Sequence, residues 1–127
     1  DEAVKNVGWA CKNSLGGEII VPKIPSYRLI DLAKAINQNN KWKVVGLRKG
    51  EKIHEEMITS GDSISTYETR KFYFILADNR NTTIKKFKKK FPDLRKVSKN
   101  FTYNSGDNNK FLTVSQLRGM IKNEILK

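Results

Sequence analysis

Cysteine occurs once, at Cys11, and histidine once, at His54, so the chain can build neither an internal disulfide framework nor a zinc site of cysteine and histidine ligands. A lone thiol fits a reducing cytoplasm, which is the compartment expected. His54-Glu55-Glu56 opens like a zinc-protease helix, but no second histidine stands four residues on. No apolar run approaches the roughly 20 residues that span a bilayer, so no membrane span is expected. Neither a G-x-x-x-x-G-K-[ST] loop nor a G-x-G-x-x-G turn occurs, which leaves no motif to cradle a cofactor pyrophosphate. The chain opens Asp1-Glu2-Ala3-Val4, without initiator methionine or signal-peptide pattern, and reads as an excerpt of a longer reading frame.

Acidic residues are scarce as well. Thirteen Asp and Glu stand against 25 Lys and Arg, a net charge of +12 over 127 residues. The densest basic stretch, Ile84-Lys85-Lys86-Phe87-Lys88-Lys89-Lys90-Phe91, continues to Arg95-Lys96 and Lys99. Elsewhere the positive charges are interleaved with carboxylates, as on a solvated face. The alternative is a free-standing basic module that binds RNA or another polyanion, with Phe87, Phe91, Phe101 and Tyr103 stacking on bases. Aromatic residues at such positions more often form core.

Ala3, Val4, Val7, Ala10 and Cys11 recur at helical spacing and predict a helix over about 1–14, with Cys11 on its core side. Glu18-Ile19-Ile20-Val21 reads as a buried strand, closed by Pro22 and Pro25. Ser26 is expected to cap a helix lined by Leu29, Ile30, Leu32, Ala33 and Ile36, ended by Asn37 to Asn40. Trp42 to Leu47 reads as a second strand, which gives a strand–helix–strand crossover with parallel strands. A short helix is expected over 53–58, a turn at Gly61-Asp62-Ser63 and a strand over 71–76. The lysine-rich stretch is expected to be helical as far as Phe91 and Pro92. After a polar loop over 104–109, Thr113 or Ser115 caps a last helix with the stripe Val114, Leu117, Ile121 and Leu126.

One constellation has the chemistry of a binding site. Arg48 and Glu51 flank Gly50 in the loop after the second expected strand, where open α/β folds hold ligands. Arginine offers a planar fork of donors for phosphate oxygens, glycine admits a close backbone approach, and a carboxylate accepts from a ribose diol. A solvated charged turn has the same spacing. Lys23, after the first strand, would lie beside this loop if the two strands were neighbours, and is a second phosphate candidate. No residue is assigned a catalytic or metal-binding role.

Three collinear segments carry a family resemblance: Gly16-Gly17-Glu18-Ile19-Ile20-Val21-Pro22-Lys23-Ile24-Pro25-Ser26, Asp31-Leu32-Ala33-Lys34-Ala35-Ile36, and Val45-Gly46-Leu47-Arg48-Lys49-Gly50-Glu51-Lys52-Ile53-His54-Glu55-Glu56-Met57. Together they resemble the C-terminal half of the UDP-N-acetylglucosamine 4,6-dehydratases. These are extended short-chain dehydrogenase/reductases of bacterial polysaccharide, flagellin-sugar and nonulosonic-acid biosynthesis. The resemblance covers about 1–76. Tyr103-Asn104-Ser105 and the helix after it resemble the C-terminal extension of capsule-type members.

The resemblance implies an α/β fold with a small, mostly parallel sheet and flanking helices. Residues 1–76 would be the sugar-nucleotide substrate-binding portion and 77–127 a basic segment and C-terminal helix. It implies that Arg48 contacts the UDP diphosphate and Glu51 the nucleotide. Lys49 stands where the family commonly has proline (R-P-G-E-K). The complete enzymes bind NADP in an N-terminal Rossmann part, where a tyrosine–lysine pair with a nearby acid and base acts. A hydride leaves C4, water is lost across C5–C6, and the hydride returns to C6. None of those N-terminal motifs is in this chain, which holds no cofactor of its own on this reading and is expected to be inactive alone. Its partners would be a UDP-sugar, the Rossmann portion and further copies in a homo-oligomer. The isolated chain is expected to expose apolar surface.

Overall fold

A strand that is apolar at every position must be covered on both faces, and Phe72-Tyr73-Phe74-Ile75 is such a strand. The computed structural model describes residues 2–39 and 41–124. Its elements are α1 (Glu2–Asn13), β1 (Ile19–Pro22), α2 (Leu29–Ile36), β2 (Glu56–Ile58), a 3₁₀ turn (Asp62–Ile64), β3 (Thr66–Glu68), β4 (Phe72–Ile75), α3 (Asn81–Lys90), β5 (Arg95–Lys96), β6 (Tyr103–Asn104) and α4 (Val114–Glu124). They form two compact units, each assembled from two stretches of chain: Asp1–Lys23 with Met57–Tyr103, and Ile24–Glu56 with Asn104–Lys127.

The first unit is a sheet in the order β1-β4-β3-β5, with every pairing antiparallel. The mostly parallel sheet expected from the sequence is therefore corrected. The partner of β1 is β4, in the register Ile19↔Ile75 to Pro22↔Phe72, and not the run Trp42 to Leu47. That run forms no strand, because Gly46 sits at a φ of 79°, outside any extended conformation. β3 and β4 are joined by a tight connection in which the Thr69 amide donates to the Phe72 carbonyl at 2.8 Å. Pro22 is the last residue of β1, and its place in the ladder is tolerated because β1 is an edge strand.

Alternation along β4 divides the core. Phe72, Phe74 and Leu76 join Tyr67, Phe87 and Leu94 in one cluster, with Trp9, Ile84 and Phe91 packed against it. Tyr73 joins Val21, Ile58, Val97 and Tyr103 in another, with Phe101 alongside. Phe74 has no exposed surface and meets the Phe91 ring at 4.8 Å and the Phe87 ring edge-on at 5.9 Å. Trp9 stacks on Phe72 at 4.2 Å and docks α1. Docking by Trp9 turns Val4, Val7 and Cys11 outward, so Cys11 is exposed and not core as its apolar neighbours suggested.

The same sheet carries an ionic knot, half-buried at Lys23 and Glu68 and exposed at Arg95. Glu68 of β3 accepts from Lys23 at 2.5 Å and from Arg95 at 2.9 Å, and Lys23 lies 4.4 Å above the Tyr73 ring. Burial pushes the Glu68 carboxyl up, but the Lys23 hydrogen bond and the charges of Lys23 and Arg95 outweigh it and hold the group below its usual range.

In the second unit α2 packs on α4, burying Ala35 and Leu117. The Arg118 guanidinium donates to the Lys34 carbonyl at 3.3 Å and the Ala35 carbonyl at 3.4 Å, satisfying carbonyls at the end of α2. Thr113 and Gln116 make a reciprocal capping box at the start of α4: the Thr113 amide donates to Gln116 Oε1 at 2.9 Å and the Gln116 amide to Thr113 Oγ1 at 3.3 Å. Ser26 is not a helix cap. It forms a parallel bridge with Phe111 and accepts from Asn108 at 3.1 Å, while Arg28 occupies the cap of α2 without a side-chain bond. The helix expected over 53–58 is an exposed turn leading into β2, which pairs with β6 in a separate two-stranded sheet. Asp1, Asn40 and Leu126, each placed in an element above, lie outside the described residues.

Two outcomes test this account. Phe74→Ala should cost about 3–5 kcal/mol in chemical denaturation, whereas Val4→Ser, at a site 67% exposed, should stay within about 0.5 kcal/mol. Equal costs would contradict the assigned core. Because the folded Glu68 carboxyl titrates below its unfolded counterpart, its contribution is present above the ordinary glutamate range and is lost as pH falls through it. Wild type should therefore lose more stability between neutral and acid pH than Glu68→Gln, as read by thermal melts across that range.

Candidate functional site

Arg48, Lys49, Gly50 and Glu51 form one turn of the second unit. The Glu51 amide donates to the Arg48 carbonyl at 3.1 Å, and the Arg48 amide returns a bond to Glu51 Oε2 at 2.9 Å. Gly50 has a φ of 86°, while Lys49 is not left-handed, and this combination is a type II turn. The third position of such a turn needs a positive φ, so glycine stands there for a steric reason. The second position suits proline, and Lys49 occupies it here at some cost in rigidity.

The turn is organised but open. The Arg48 side chain is 84% exposed and that of Glu51 47% exposed, with Arg48 Nε 3.9 Å from Glu51 Oε1. Nothing lies within 4 Å of where a Gly50 Cβ would be. A guanidinium fork, an accessible backbone and a carboxylate with one oxygen engaged by the turn are thus presented together to solvent. That set can bind an anion beside hydroxyl groups; it contains no base–nucleophile pair.

Lys23 has another role in the structure. It belongs to the first unit, where its ammonium is committed to Glu68 and the Tyr73 ring. The neighbouring parallel strands that would have brought it beside Arg48 are not formed. The polar stretch 104–109 tethers the loop instead, through Ser105 and Gly106. The Glu55 amide donates to Ser105 Oγ at 3.0 Å and the Ser105 amide to the Glu55 carbonyl at 2.8 Å, while the His54 ring lies against Gly106. Asn108 donates to the Ile24 carbonyl at 2.8 Å.

The lysines of α3 at 85, 86, 88, 89 and 90 are all exposed. The aromatic residues interleaved with them are not available to bases: Phe87 and Tyr103 are buried, and Phe91 and Phe101 pack against the two core clusters. Among the described residues, no group of three or more His, Cys, Asp or Glu could hold a metal ion, and no helix is long and apolar enough to cross a membrane.

Comparison with known proteins places this architecture. The family model described as polysaccharide biosynthesis protein matches residues 1–77. A protein named UDP-N-acetylglucosamine 4,6-dehydratase (inverting), from Campylobacter jejuni subsp. jejuni serotype O:2, is 47% identical over 75 residues, which are 59% of this chain and 22% of that protein. Its namesake from serotype O:23/36 is 38% identical over 127 residues, covering 95% of this chain and 37% of the relative. The solved structure of Pen from Bacillus thuringiensis superposes with a TM-score of 0.74 at 24% identity, over 99% of this chain and 37% of that one, and so shares the fold. The chain thus spans 22% and 37% of the lengths of these two curated relatives. On the family match and the two Campylobacter relatives together, the chain belongs to the polysaccharide biosynthesis protein family that includes the UDP-N-acetylglucosamine 4,6-dehydratases.

Proposed function

We propose that this chain is the sugar-nucleotide-binding portion of a 4,6-dehydratase or epimerase acting on a UDP-N-acetylhexosamine, with the Arg48–Glu51 turn as its diphosphate and nucleotide clasp. The single observation that carries the reading is the turn itself: an exposed guanidinium and a carboxylate held in one closed geometry around an open glycine. Arg48 donates to diphosphate oxygens, the backbone at Gly50 admits close approach, and Glu51 accepts from ribose hydroxyls. Lys23 takes no part unless its bond to Glu68 opens, and the reading assigns it to the sheet. The relatives' names supply the sugar and the reaction class; nothing among these residues chooses between UDP-sugars.

Chemistry on this reading lies in a dinucleotide-binding portion outside these residues, with NADP bound there. Exposed apolar side chains support that division. Val44 is 83%, Val45 77% and Leu47 60% exposed in a run that forms no strand and packs into neither core cluster. An exposed apolar run of that kind is what an adjoining portion of a longer protein would cover. The competing polyanion reading keeps its exposed lysines but loses its stacking platform.

Binding of UDP by calorimetry tests the assignment. Arg48→Ala should weaken UDP roughly 10-fold or more, the usual cost of a lost charge-assisted hydrogen bond, and Arg48→Lys should recover only part of it. Loss of the lysine charges at 85 and 86 should leave UDP binding unchanged. Undiminished binding by Arg48→Ala would overturn the clasp.

A further inference from the structure

From residue 41 to residue 57 no side chain is buried, so core packing does not fix the loop that carries Arg48 and Glu51. What fixes it must act at its ends. The nearer end is His54-Glu55, which is bound to Ser105-Gly106 across 50 residues of sequence by the reciprocal Glu55–Ser105 bonds. Three residues reach at most about 10 Å, so the position of His54 limits where Glu51 can be.

The partner turn is rigid in its own right. Asn104 Oδ1 accepts from the Gly106 amide at 2.9 Å and the Asp107 amide at 2.8 Å, and Asn104 Nδ2 donates to Asp107 Oδ2 at 2.9 Å. The seat for His54 is cut by glycine: a Cβ on Gly106 would fall 2.7 Å from His54 Cγ and 2.8 Å from its Cδ2 and Nδ1. No side chain larger than hydrogen fits there without moving the ring or opening the turn.

We infer that the Asn104–Asp107 turn, through the seat of His54 on Gly106 and the Glu55–Ser105 bonds, is the positioning element of the Arg48–Glu51 clasp. A segment beyond the family match at 1–77 thereby sets how well the clasp meets a diphosphate. The part of this inference that concerns the ligand rests on the proposed binding role; the mechanical part does not.

The test compares wild type with Gly106→Ala, Ser105→Ala and the double variant Gly106→Ala/His54→Ala, each as the 127-residue chain. Two readouts are taken: amide NMR signals of Arg48, Gly50 and Glu51 without ligand, and the Kd for UDP. Gly106→Ala should shift or broaden the three loop signals, leave those of β3 and β4 in place, and weaken UDP several-fold. Removing the His54 ring in the double variant should return both readouts toward wild type, and Ser105→Ala should act in the same direction as Gly106→Ala but less. Loop signals unmoved by both Gly106→Ala and Ser105→Ala, or displaced but not restored by loss of the ring, would overturn the inference. If the loop signals respond as stated and wild type binds no UDP, the positioning stands and the clasp assignment falls.

Discussion

Burial of β4 on both faces is the constraint from which the first unit follows. With Phe72, Phe74 and Leu76 on one side and Tyr73 on the other, the strand is stable only if α1 and α3 cover one face and the 57–58 and 97–103 segments the other. Each covering element supplies an aromatic or branched side chain at the point of contact: Trp9, Phe87 and Phe91 on one face, Ile58, Val97 and Tyr103 on the other. The ionic knot of Lys23, Glu68 and Arg95 then ties β1, β3 and β5 ends together beside that core. A lysine that looks like a phosphate ligand from its place after a strand is consumed in holding the sheet.

The second unit is built on a different economy. It has one helix pair, a capping box, an arginine on the end of α2, and side-chain-to-backbone bonds from Asn108 and Ser105. Polar tethers, rather than apolar packing, hold the segment that carries Arg48 and Glu51. Such a loop keeps its charged groups in water until a ligand arrives, and its geometry depends on a few bonds that single substitutions can reach.

Elements with a strong period were legible from sequence. Helices α1, α2 and α4 and strands β1 and β4 stand within a few residues of where apolar spacing put them, and α3 lies on the lysine-rich stretch expected to be helical, ending before Pro92. The failures have physical causes. Strands β3, β5 and β6, at three, two and two residues, are too short to show alternation. Ile53 to Ile58 has apolar residues at helical intervals, yet pairing with β6, far along the chain, overrides that local pattern. The antiparallel sheet was hidden for the same reason, since nothing local announces that β1 will pair with a strand fifty residues on. For the site, the Arg48, Gly50 and Glu51 spacing was readable because one turn contains all three. Ser105 and Gly106 were not, because their meaning lies in contacts with Glu55 and His54 across a long loop.

The measurement that bears most directly on the account is a map of amide NMR perturbations during titration of the chain with UDP. Binding through the clasp predicts saturable shifts centred on Arg48 to Glu51 and spreading to His54 and Glu55. Shifts confined to the α3 lysines, at 85–90, would show a non-specific anion on a basic helix and contradict it; an unperturbed spectrum at millimolar UDP would contradict it outright.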